Sequence, residues 1–398
     1  MYTQLTRCVA CDSYNLHQFL DLDKQPLANN YHDGTGSGEK YPLALNVCTD
    51  CWHTQLSVSV DPSILFDHYL YVTGTNQTIK DYSDWFASYV LERNPDLPTI
   101  KVLDIACNDG TQLDSFTKLS PTCETYGVDP AKNLIGLAEE KGHTVYNEYW
   151  PFDLGQKFEV IIAQNVCAHT PSLYDFMVGI RNHLALTGEA YIQTSQSQMY
   201  QNNEFDTTYH EHISFFSVNS MNNLAHRAGL TLKDVQITDI HGGSYLFTLG
   251  VQGSTKSASV RETMIKEDSE GRHSLEFYRH FGINADTILD DLEDVICAYQ
   301  SNGVAVVGYG AAAKGMTVLN ARGIKLDWIV DDNPLKQGLY TPGTNIPIKD
   351  RSSLHTDLPL VVIPLAWNFF NEIKDNVDTE RKGKETTYIK YFPKVTVT

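Results

Sequence analysis

The chain has 398 residues, of which 42% are hydrophobic and 20% charged, and a formal net charge of −19 at pH 7. This composition is typical of a folded globular protein and excludes intrinsic disorder, and the length predicts two or three domains. The acidic balance argues against nucleic-acid binding, which needs clustered Lys and Arg. It still allows a small phosphate-bearing ligand held by one lysine. No apolar run approaches the roughly 18 residues that cross a bilayer, so no membrane segment is expected.

Four cysteines near the start of the chain form two C-x-x-C pairs, Cys8 with Cys11 and Cys48 with Cys51. Two such turns brought together make a tetrahedral cage of thiolates, which structural Zn²⁺ prefers. Two disulfides or free thiols are the alternatives. Because the first residues lack the basic and apolar regions of a signal peptide, a reducing cytosol and a metal are favoured. We therefore predict a cytoplasmic protein with a zinc-binding domain in residues 1–75.

Weaker patterns follow the first cysteine pair. Residues 33–38 are polar and glycine-rich, which predicts a loop, and residues 41–47 alternate like a strand. Residues 78–91 have the apolar spacing of a helix. Four short apolar runs then predict strands, at residues 100–105, 125–129, 159–165 and 189–193. Because such strands alternate with helical segments, we predict an α/β domain with a parallel sheet over residues 76–250.

The last third of the chain repeats this pattern on a smaller scale. Residues 255–300 have helical spacing, with a packed face predicted at Leu275, Tyr278, Phe281, Ile288 and Leu292. Three apolar runs follow and predict strands, at residues 302–310, 326–332 and 358–364. We therefore predict a C-terminal, Rossmann-like α/β domain over residues 251–398.

The turn after the first middle strand is a candidate cofactor site. Residues 102–110 resemble motif I of the class I S-adenosylmethionine (SAM) methyltransferases, although Ala106 stands where a first glycine is common. Asp129 ends the next strand and is placed to accept hydrogen bonds from both ribose hydroxyls. The same spacing fits NAD, but no G-x-G-x-x-G occurs here, so SAM is favoured.

Further candidate cofactor residues follow at neighbouring positions. Tyr149 and Trp150 fall where a loop beside the adenine ring is expected, although paired aromatics also occur in ordinary cores. Gln164 and Asn165 end another predicted strand, at the edge where α/β folds place ligands. The predicted cofactor-binding residues are Asp104, Ala106, Asn108, Asp109, Gly110, Asp129, Pro130, Tyr149, Trp150, Gln164 and Asn165.

Tyr209, His210, Glu211 and His212 are four polar, ionisable residues in succession, a costly set to bury without a purpose. If this stretch is extended, Tyr209 and Glu211 share one face and the two histidines share the other. A histidine can act as a general base near neutral pH while a phenol or carboxylate orients it. A metal site is less favoured, because His-x-His supplies only two ligands; a satisfied polar turn is the remaining alternative. His169 adds an imidazole at the end of a predicted strand.

The glycine-rich turn at residues 308–315 allows three interpretations. It could hold a dinucleotide, hold the diphosphate of a nucleotide sugar, or be a degenerate unit kept for packing. Lys314 lies where the turn opens a helix, which favours the diphosphate. Lys336 and Tyr340 are placed to reach the same ligand.

In chain order, these motifs resemble those of the three-domain, zinc-containing, SAM-dependent C-methyltransferases of deoxysugar biosynthesis. The resemblance covers nearly the whole chain. Its motifs are the cysteine pairs, residues 21–29, 41–43, Phe66, Tyr69 and Tyr71, and residues 108–110, 165–169, 209–212, 241–244, 308–315 and 336–344. Two stretches depart from the family pattern: residues 245–247 lack its usual basic residue, and residues 194–196 replace a more acidic stretch.

The resemblance implies methylation at C3 of a nucleotide-linked 4-keto-6-deoxy sugar, with dTDP or GDP as the nucleotide. It implies that His212 is the base that generates an enolate, with Tyr209, Glu211 and His169 stabilising the enolate or orienting the sugar. The predicted substrate-binding residues are Tyr71, Ser244, Tyr309, Lys314, Lys336 and Tyr340. Three alternatives stay open: methylation of a sugar hydroxyl, a non-catalytic zinc protein that binds a nucleotide sugar, and an NAD-linked oxidoreductase.

Overall fold

In the computed structural model of the chain, the residues described are 1–36, 38–66, 73–75, 77–94, 99–195 and 198–398. The predicted α/β fold class is confirmed, and the sheets fall into an N-terminal, a middle and a C-terminal group. Among the helices of these residues, none is long and apolar enough to span a bilayer.

The N-terminal group holds both cysteine pairs. Its elements are β1 (Tyr2–Gln4), β2 (Leu16–Pro26), β3 (Lys40–Cys48), β4 (Thr54–Leu56), β5 (Val58–Val60) and the short helix α1 (Pro62–Phe66). β3 pairs antiparallel with β2 and with β4, and β1 pairs with β5. The predicted strand at residues 41–47 is confirmed as β3. The sequence pattern does not reveal β2, because charged residues on its exposed face interrupt the apolar alternation.

The middle group is a seven-stranded sheet with the order β12-β13-β10-β9-β6-β7-β8. Its strands are β6 (Lys101–Ile105), β7 (Glu124–Val128), β8 (Thr144–Tyr146), β9 (Phe158–Gln164), β10 (Leu184–Ser195), β12 (Leu230–Thr238) and β13 (Ser244–Val251). The helices are α2 (Gln77–Glu92), α3 (Thr111–Leu119), α4 (Lys132–Glu140), α5 (Leu173–His183) and α6 (Val218–Arg227). β13 runs antiparallel to β10 and β12, whereas β8, β7, β6, β9 and β10 are parallel. A further short strand, β11 (Ser214–Phe215), lies outside this sheet and pairs with β4 of the N-terminal group.

The register of the middle sheet positions its ligand edge. The predicted strands are confirmed as β6, β7, β9 and β10. Asp104 of β6 pairs with Gly127 of β7 and with Ile162 of β9. The carboxyl ends of these three strands therefore meet at one edge, and the turns that follow them lie close together.

The C-terminal group is a six-stranded sheet with the order β16-β15-β14-β17-β18-β19. Its strands are β14 (Ala305–Tyr309), β15 (Trp328–Val330), β16 (Ile348–Lys349), β17 (Leu360–Pro364), β18 (Thr386–Lys390) and β19 (Thr396–Val397). Its helices are α7 (Ala258–Ser269), α8 (Leu275–Ser301), α9 (Ala313–Arg322) and α10 (Phe370–Arg381). All neighbouring strands are parallel except β18 and β19. The three predicted strands are confirmed as β14, β15 and β17.

The long helix α8 lies between the N-terminal and C-terminal groups. Four of its five predicted packing residues are buried, and Leu275 is half-buried. A Cβ on Gly282 would lie 2.1 Å from the carbonyl oxygen of Phe19 in β2. Only glycine therefore allows the helix to approach the sheet this closely.

The N-terminal group packs on both the middle and the C-terminal groups, which are called the middle and C-terminal units below. Cys8 and Cys48 share an apolar core with Met221 of α6. Leu22 and Leu43 share a second core with α8 and the C-terminal sheet. Full burial of each large apolar side chain stabilises the fold by roughly 1.5–3 kcal/mol. The small N-terminal group therefore connects the two larger units.

Candidate active site

The four cysteines of the two C-x-x-C pairs come together. Their Sγ atoms all lie within 4.8 Å of one another, with Cys8 and Cys51 separated by 3.5 Å and Cys11 and Cys48 by 3.6 Å. These separations exceed the ~2.05 Å bond of a disulfide. They approach the edge of about 3.8 Å in a tetrahedron with Zn–S bonds of about 2.3 Å. The donor set and its geometry fit Zn²⁺.

A cavity of about 280 Å³ opens at the carboxyl edge of the middle sheet. It is lined by most of the predicted cofactor-binding residues, namely Asp104, Ala106, Asn108, Asp129, Pro130, Tyr149, Trp150, Gln164 and Asn165. Asp109 and Gly110 do not line it. The turns after β6, β7 and β9 thus form one concave surface, as their position in the sheet predicts.

The turn after β6 keeps a tight backbone despite its alanine. Ala106 and Asn108 both have positive φ angles, 61° and 52°. The Ala106 N–H donates to the Val128 carbonyl at 2.7 Å. Ala106 therefore adopts the left-handed conformation for which glycine is common in motif I, at a cost of about 1–2 kcal/mol.

Asp129 is anchored by the turn that it faces. Its two carboxylate oxygens accept the backbone N–H groups of Asn108 and Ala131, each at 2.8 Å. Each oxygen keeps lone pairs for a ligand hydroxyl. Burial raises the pKa of Asp129, and the two backbone hydrogen bonds oppose this shift. Burial and then the charge of Asp129 raise the pKa of neighbouring Asp104 well above its ordinary value, which favours the neutral acid.

Asp109 and Gly110 shape the turn. The Asp109 carboxylate accepts the Gly74 N–H at 3.1 Å and the Thr111 hydroxyl at 2.8 Å. A Cβ on Gly110 would lie 2.8 Å from the ring of His143, and the φ of Gly110 is 76°. This position requires glycine.

The two aromatic residues after β8 have different surroundings. Trp150 lines the cavity, and its Nε1–H donates to the Phe176 carbonyl at 3.1 Å, which fixes the indole as a wall. Tyr149 also lines the cavity and is 51% exposed. Its ring is therefore accessible for stacking on a flat ligand ring.

Residues 209–212 form a turn, so the predicted alternation of an extended segment is wrong. The His212 N–H donates to the Tyr209 carbonyl at 2.9 Å, and the two rings lie 4.1 Å apart between centroids. His210 points away, with its Nε2 3.3 Å from a backbone carbonyl of β3. Glu211 accepts a hydrogen bond from Asn29 at 2.7 Å. The turn therefore pairs Tyr209 with His212 and separates them from His210.

The hydrogen bonds of His212 define which ring nitrogen carries the proton. Its Nδ1 lies 2.9 Å from the Thr207 carbonyl. Because a carbonyl only accepts, Nδ1 carries the proton and Nε2 holds the lone pair. The Tyr209 hydroxyl donates to Nε2 at 2.8 Å. Burial, then the neighbouring His169 and Lys314, lower the pKa of His212 well below its ordinary value, so the ring is neutral at physiological pH.

His169 connects this turn to the cavity. It lines the cavity, and its ring centroid lies 5.2 Å from that of His212 at an interplanar angle of 82°. Burial lowers the pKa of His169 to about 4. Tyr209, Glu211 and His212 do not line the cavity, but His212 lies directly behind one of its walls.

The cavity also has lining residues that the sequence prediction does not include, among them Tyr82, Gln112, Gln193 and His241. His241 lies between β12 and β13, where it and the next two residues, Gly242 and Gly243, have φ angles of 58°, 85° and 115°. Burial and then Lys314 lower the pKa of His241 to about 4. The His-Gly-Gly sequence is the signal of this turn, because glycine tolerates positive φ.

Lys314, in the first turn of α9, brings a cation of the C-terminal unit to these imidazoles. Its Nζ lies 4.5 Å from the ring centroid of Trp367, whose Nε1–H donates to Asp206 at 2.7 Å. Burial raises the pKa of Asp206 to about 7, and the charge of Lys314 opposes this shift. Because Lys314 also depresses the pKa of His212, the cation and the imidazoles share one electrostatic environment.

Lys336 and Tyr340 lie on another side of the glycine-rich turn. The Lys336 Nζ donates to the Ala311 carbonyl at 2.7 Å. Tyr340 pairs through its backbone with His32 of the N-terminal group, and the two rings are stacked. Lys336 therefore contacts both the turn and the N-terminal group, where its Nζ lies 5.0 Å from the ring centroid of Tyr31, whereas Tyr340 contacts the N-terminal group.

The other predicted substrate-binding residues are placed differently. The Tyr309 hydroxyl donates to Asp332 at 3.1 Å. The Ser244 hydroxyl donates to a backbone carbonyl at 2.7 Å and does not line the cavity. Both hydroxyls thus have partners within the protein. Tyr71 lies outside the described residues.

Three family models match successive parts of the chain. They are a zinc binding domain over residues 8–66, a methyltransferase domain over residues 77–235 and a C-methyltransferase C-terminal domain over residues 239–393. A curated relative, the C-methyltransferase NovU of Streptomyces niveus, is 28% identical over 388 residues, which cover 94% of this chain and 92% of NovU.

Two solved structures with SAM chemistry are similar to part of the chain. Magnesium protoporphyrin IX methyltransferase of Synechocystis, with bound SAM, is 14% identical with a TM-score of 0.35 and covers 44% of this chain and 79% of its own. A SAM-dependent methyltransferase of Clostridium acetobutylicum is 14% identical with a TM-score of 0.35 and covers 44% of this chain and 92% of its own.

The middle sheet, its cavity and the matching methyltransferase model define a SAM-dependent methyltransferase. The residues present fit this cofactor, since Asp129 and an accessible Tyr149 line the cavity. With the cysteine cluster and the C-terminal model, the chain belongs to a family of zinc-containing C-methyltransferases. Its cofactors are SAM and structural Zn²⁺.

Proposed function

We propose that this C-methyltransferase acts on C3 of a nucleotide-linked 4-keto-6-deoxy sugar, through an enolate that His212 generates. One observation carries the proposal: the basic Nε2 of His212 is bonded to the Tyr209 hydroxyl next to His169, a residue of the cofactor cavity. A carbon acceptor needs such a base, because a C–H bond must lose its proton before carbon becomes a nucleophile. The name of the curated relative, a C-methyltransferase, supports carbon as the acceptor atom.

The ketone allows the proton transfer, because it accepts the electron pair of the C–H bond that breaks. His212 Nε2 takes the C3 proton, and the electron pair of the C–H bond moves to form the enolate with charge on O4. When bound, SAM supplies an electrophilic sulfonium methyl group. The bond between C3 and the methyl carbon would form as the bond between that carbon and sulfur breaks, so that S-adenosylhomocysteine would leave. The ketone would be restored, and the proton on His212 would pass to solvent. General-base catalysis of this kind typically contributes about 10²–10⁴-fold.

Tyr209 connects proton removal to enolate stabilisation. Its hydroxyl proton is donated to His212 Nε2 at 2.8 Å. If the hydroxyl donates its hydrogen bond to the ketone oxygen of the bound sugar instead, the lone pair of Nε2 becomes available to accept the C3 proton. The hydrogen bond from the Tyr209 hydroxyl to O4 strengthens as negative charge develops on that oxygen. Glu211 and His169 are proposed to orient the sugar hydroxyls.

The nucleotide part of the substrate is assigned to the C-terminal unit. Lys314 supports this assignment, because it is a cation in the first turn of α9 that faces the same imidazoles as the base. A diphosphate is favoured at such a position by the lysine and the helix N-terminus together. Lys336, Tyr340, Tyr309, Ser244 and Tyr71 are proposed as further contacts. A cytosolic location is part of the proposal, since thiolate ligands need a reducing compartment.

The proposal is tested with methyl-labelled SAM and a matched panel of nucleotide sugars. Each 4-keto-6-deoxy sugar is paired with its 4-hydroxy reduction product, and NMR locates the new methyl group. We expect methylation at C3 of the ketone and none of the reduced sugar. Equal turnover of both, or a methyl group on oxygen, would show an O-methyltransferase. Wild-type protein that binds the sugars without turnover would show a non-catalytic binding protein.

A further inference from the structure

A strap of the N-terminal group, residues 27–32, contacts both the middle and the C-terminal units. It follows β2 and contains part of the Pro-Leu-Ala-Asn sequence at residues 26–29, which the proposed function leaves without a role. Within it, Ala28 belongs to the apolar core that joins the N-terminal and C-terminal groups. The strap is therefore held in place by packing as well as by polar contacts.

The polar contacts of the strap reach both halves of the proposed site. The Asn29 side-chain amide donates to the Glu211 carboxylate at 2.7 Å. The Tyr31 hydroxyl donates to the Ala311 carbonyl, in the glycine-rich turn, at 2.6 Å. His32 and Tyr340 exchange two backbone hydrogen bonds, of 3.2 and 2.8 Å.

Glu211 depends on this strap for its environment. It is only 9% exposed, and burial raises its pKa, whereas the hydrogen bond from Asn29 opposes this shift. Among the described residues, no other group donates a hydrogen bond to this carboxylate. A buried carboxylate that loses its donor is costly, so its charge and its orientation both depend on Asn29.

We propose that Asn29 is a positioning residue for methyl transfer, whose amide holds the Glu211 carboxylate in the orientation that receives a hydroxyl of the acceptor sugar. This inference rests on the proposed function, since it takes Glu211 as a sugar-orienting group. The zinc-containing N-terminal group then contributes directly to the geometry of the acceptor site. A purely structural strap would affect folding and both substrates equally.

Other ionisable groups surround Glu211 and must be kept constant in the test. On its own turn these are Tyr209, His210 and His212. From the strap comes Tyr31, and behind Tyr31 lie Asp331 and Lys336 of the C-terminal unit. None of them is altered by a substitution at residue 29.

The experiment compares Asn29→Ala with the matched control Asn30→Ala. The Asn30 amide lies against Gly38, 2.7 Å from where a Cβ would stand on that residue, rather than against Glu211. The acceptor kcat/KM is measured as a function of pH, and the SAM Kd is measured by calorimetry. A second variant, Asn29→Asp, keeps the shape of the side chain and places a carboxylate against Glu211.

For Asn29→Ala we expect about a 10- to 100-fold loss of acceptor kcat/KM, the range for a hydrogen bond to a charged group, with a SAM Kd within about twofold of wild type. The acidic limb of the pH profile moves to higher pH, because without the amide the carboxylate binds a proton more readily; Asn29→Asp moves it further. In a Glu211→Gln background the pH shift disappears.

The inference is overturned if Asn29→Ala behaves like Asn30→Ala, or if acceptor kcat/KM and SAM affinity fall together. A wild-type enzyme that methylates a different acceptor would overturn the proposed function instead. In that case the same variants, assayed with that acceptor, still decide the role of Asn29.

Discussion

The turns after β6 and β14 use the same backbone device in two different surroundings. In the first, the Ala106 N–H donates to Val128 at 2.7 Å, and Asp129 accepts two backbone N–H groups at 2.8 Å. In the second, the Gly310 N–H donates to Val330 at 2.7 Å, and Asp331 accepts two backbone N–H groups at 2.7 and 2.8 Å. Both are Rossmann-like turns closed by the acid of the next strand.

The side chains around the two turns are different. The first turn opens onto the cavity of about 280 Å³. The second is covered, because its Ala311 carbonyl accepts from Tyr31 and Lys336 at 2.6 and 2.7 Å. A Cβ on Gly315 would lie 2.7 Å from the Cβ of Leu365. A strand, a tight turn and an acid therefore define an edge where a nucleotide can bind, but the neighbouring side chains decide what binds there.

We expect the largest effect from substitution of His212, the proposed base, which belongs to the middle unit. We expect His212→Asn to lower kcat for methyl transfer by about 10²–10⁴-fold, because the base is lost. The control is His210→Asn, since His210 lies in the same turn but points to β3. Stopped assays with labelled SAM measure kcat for both variants. Equal losses of kcat would show that His212 is not the base.

The two acids give a matched comparison of the two turns. Asp129→Asn is expected to raise the SAM Kd by about 10- to 100-fold, because a charged acceptor for hydroxyls is replaced by an amide. Asp331→Asn, in the covered turn, should leave the SAM Kd within about twofold. Calorimetry measures both values. A similar loss in both variants would show that the acids act only through folding.

Lys314→Met tests whether the C-terminal unit holds the acceptor. We expect the acceptor KM to rise about tenfold and the SAM Kd to stay constant, because one charge-assisted contact is lost. Since Lys314 lowers the pKa of His212, its removal raises that pKa and moves the acidic limb of kcat to higher pH. Lys349→Met is the control, because Lys349 lies on an aromatic ring of the same unit, 4.7 Å from the centroid of Trp328. An unchanged limb would contradict the electrostatic link.

The smallest expected effects concern the backbone of the two turns. Ala106→Gly relieves a left-handed alanine but adds freedom to the unfolded chain, so we expect a change in the free energy of unfolding within about 1 kcal/mol. Gly310→Ala should cost about 2 kcal/mol or more, because its φ is 87° and the new Cβ would lie 2.9 Å from that of Ala366. Urea unfolding measures both. Equal losses in the free energy of unfolding for Ala106→Gly and Gly310→Ala would show that the two turns are not equivalent in backbone geometry.

Much of the fold follows from local signals in the sequence. The strands β6, β7 and β9 are short apolar runs, and their order predicts that Asp104, Asp129 and Asn165 meet at one edge, as they do in the cavity. The C-x-x-C spacing likewise predicts the sulfur cluster. These features are predictable because each depends on a few neighbouring residues and a fixed sheet geometry.

Long-range features are less predictable. The turn at residues 209–212 replaces the expected extended segment because Tyr209 and His212 bond to each other. No local pattern shows that Asn29 reaches Glu211, or that Lys314 approaches the imidazoles, since these contacts depend on how the three groups pack. His241 is signalled by the two glycines that follow it and by the motif at residues 241–244, but neither predicts that it lines the cavity.

The central claim is that the enzyme makes a carbon nucleophile beside a ketone, and hydrogen exchange tests it without methyl transfer. The protein is incubated in D₂O with a 4-keto-6-deoxy nucleotide sugar and S-adenosylhomocysteine, and NMR follows the proton at C3. We predict that wild-type protein replaces this proton with deuterium far faster than His212→Asn protein does. A C3 proton that persists in both, while labelled SAM still methylates the same sugar, would contradict the enolate mechanism.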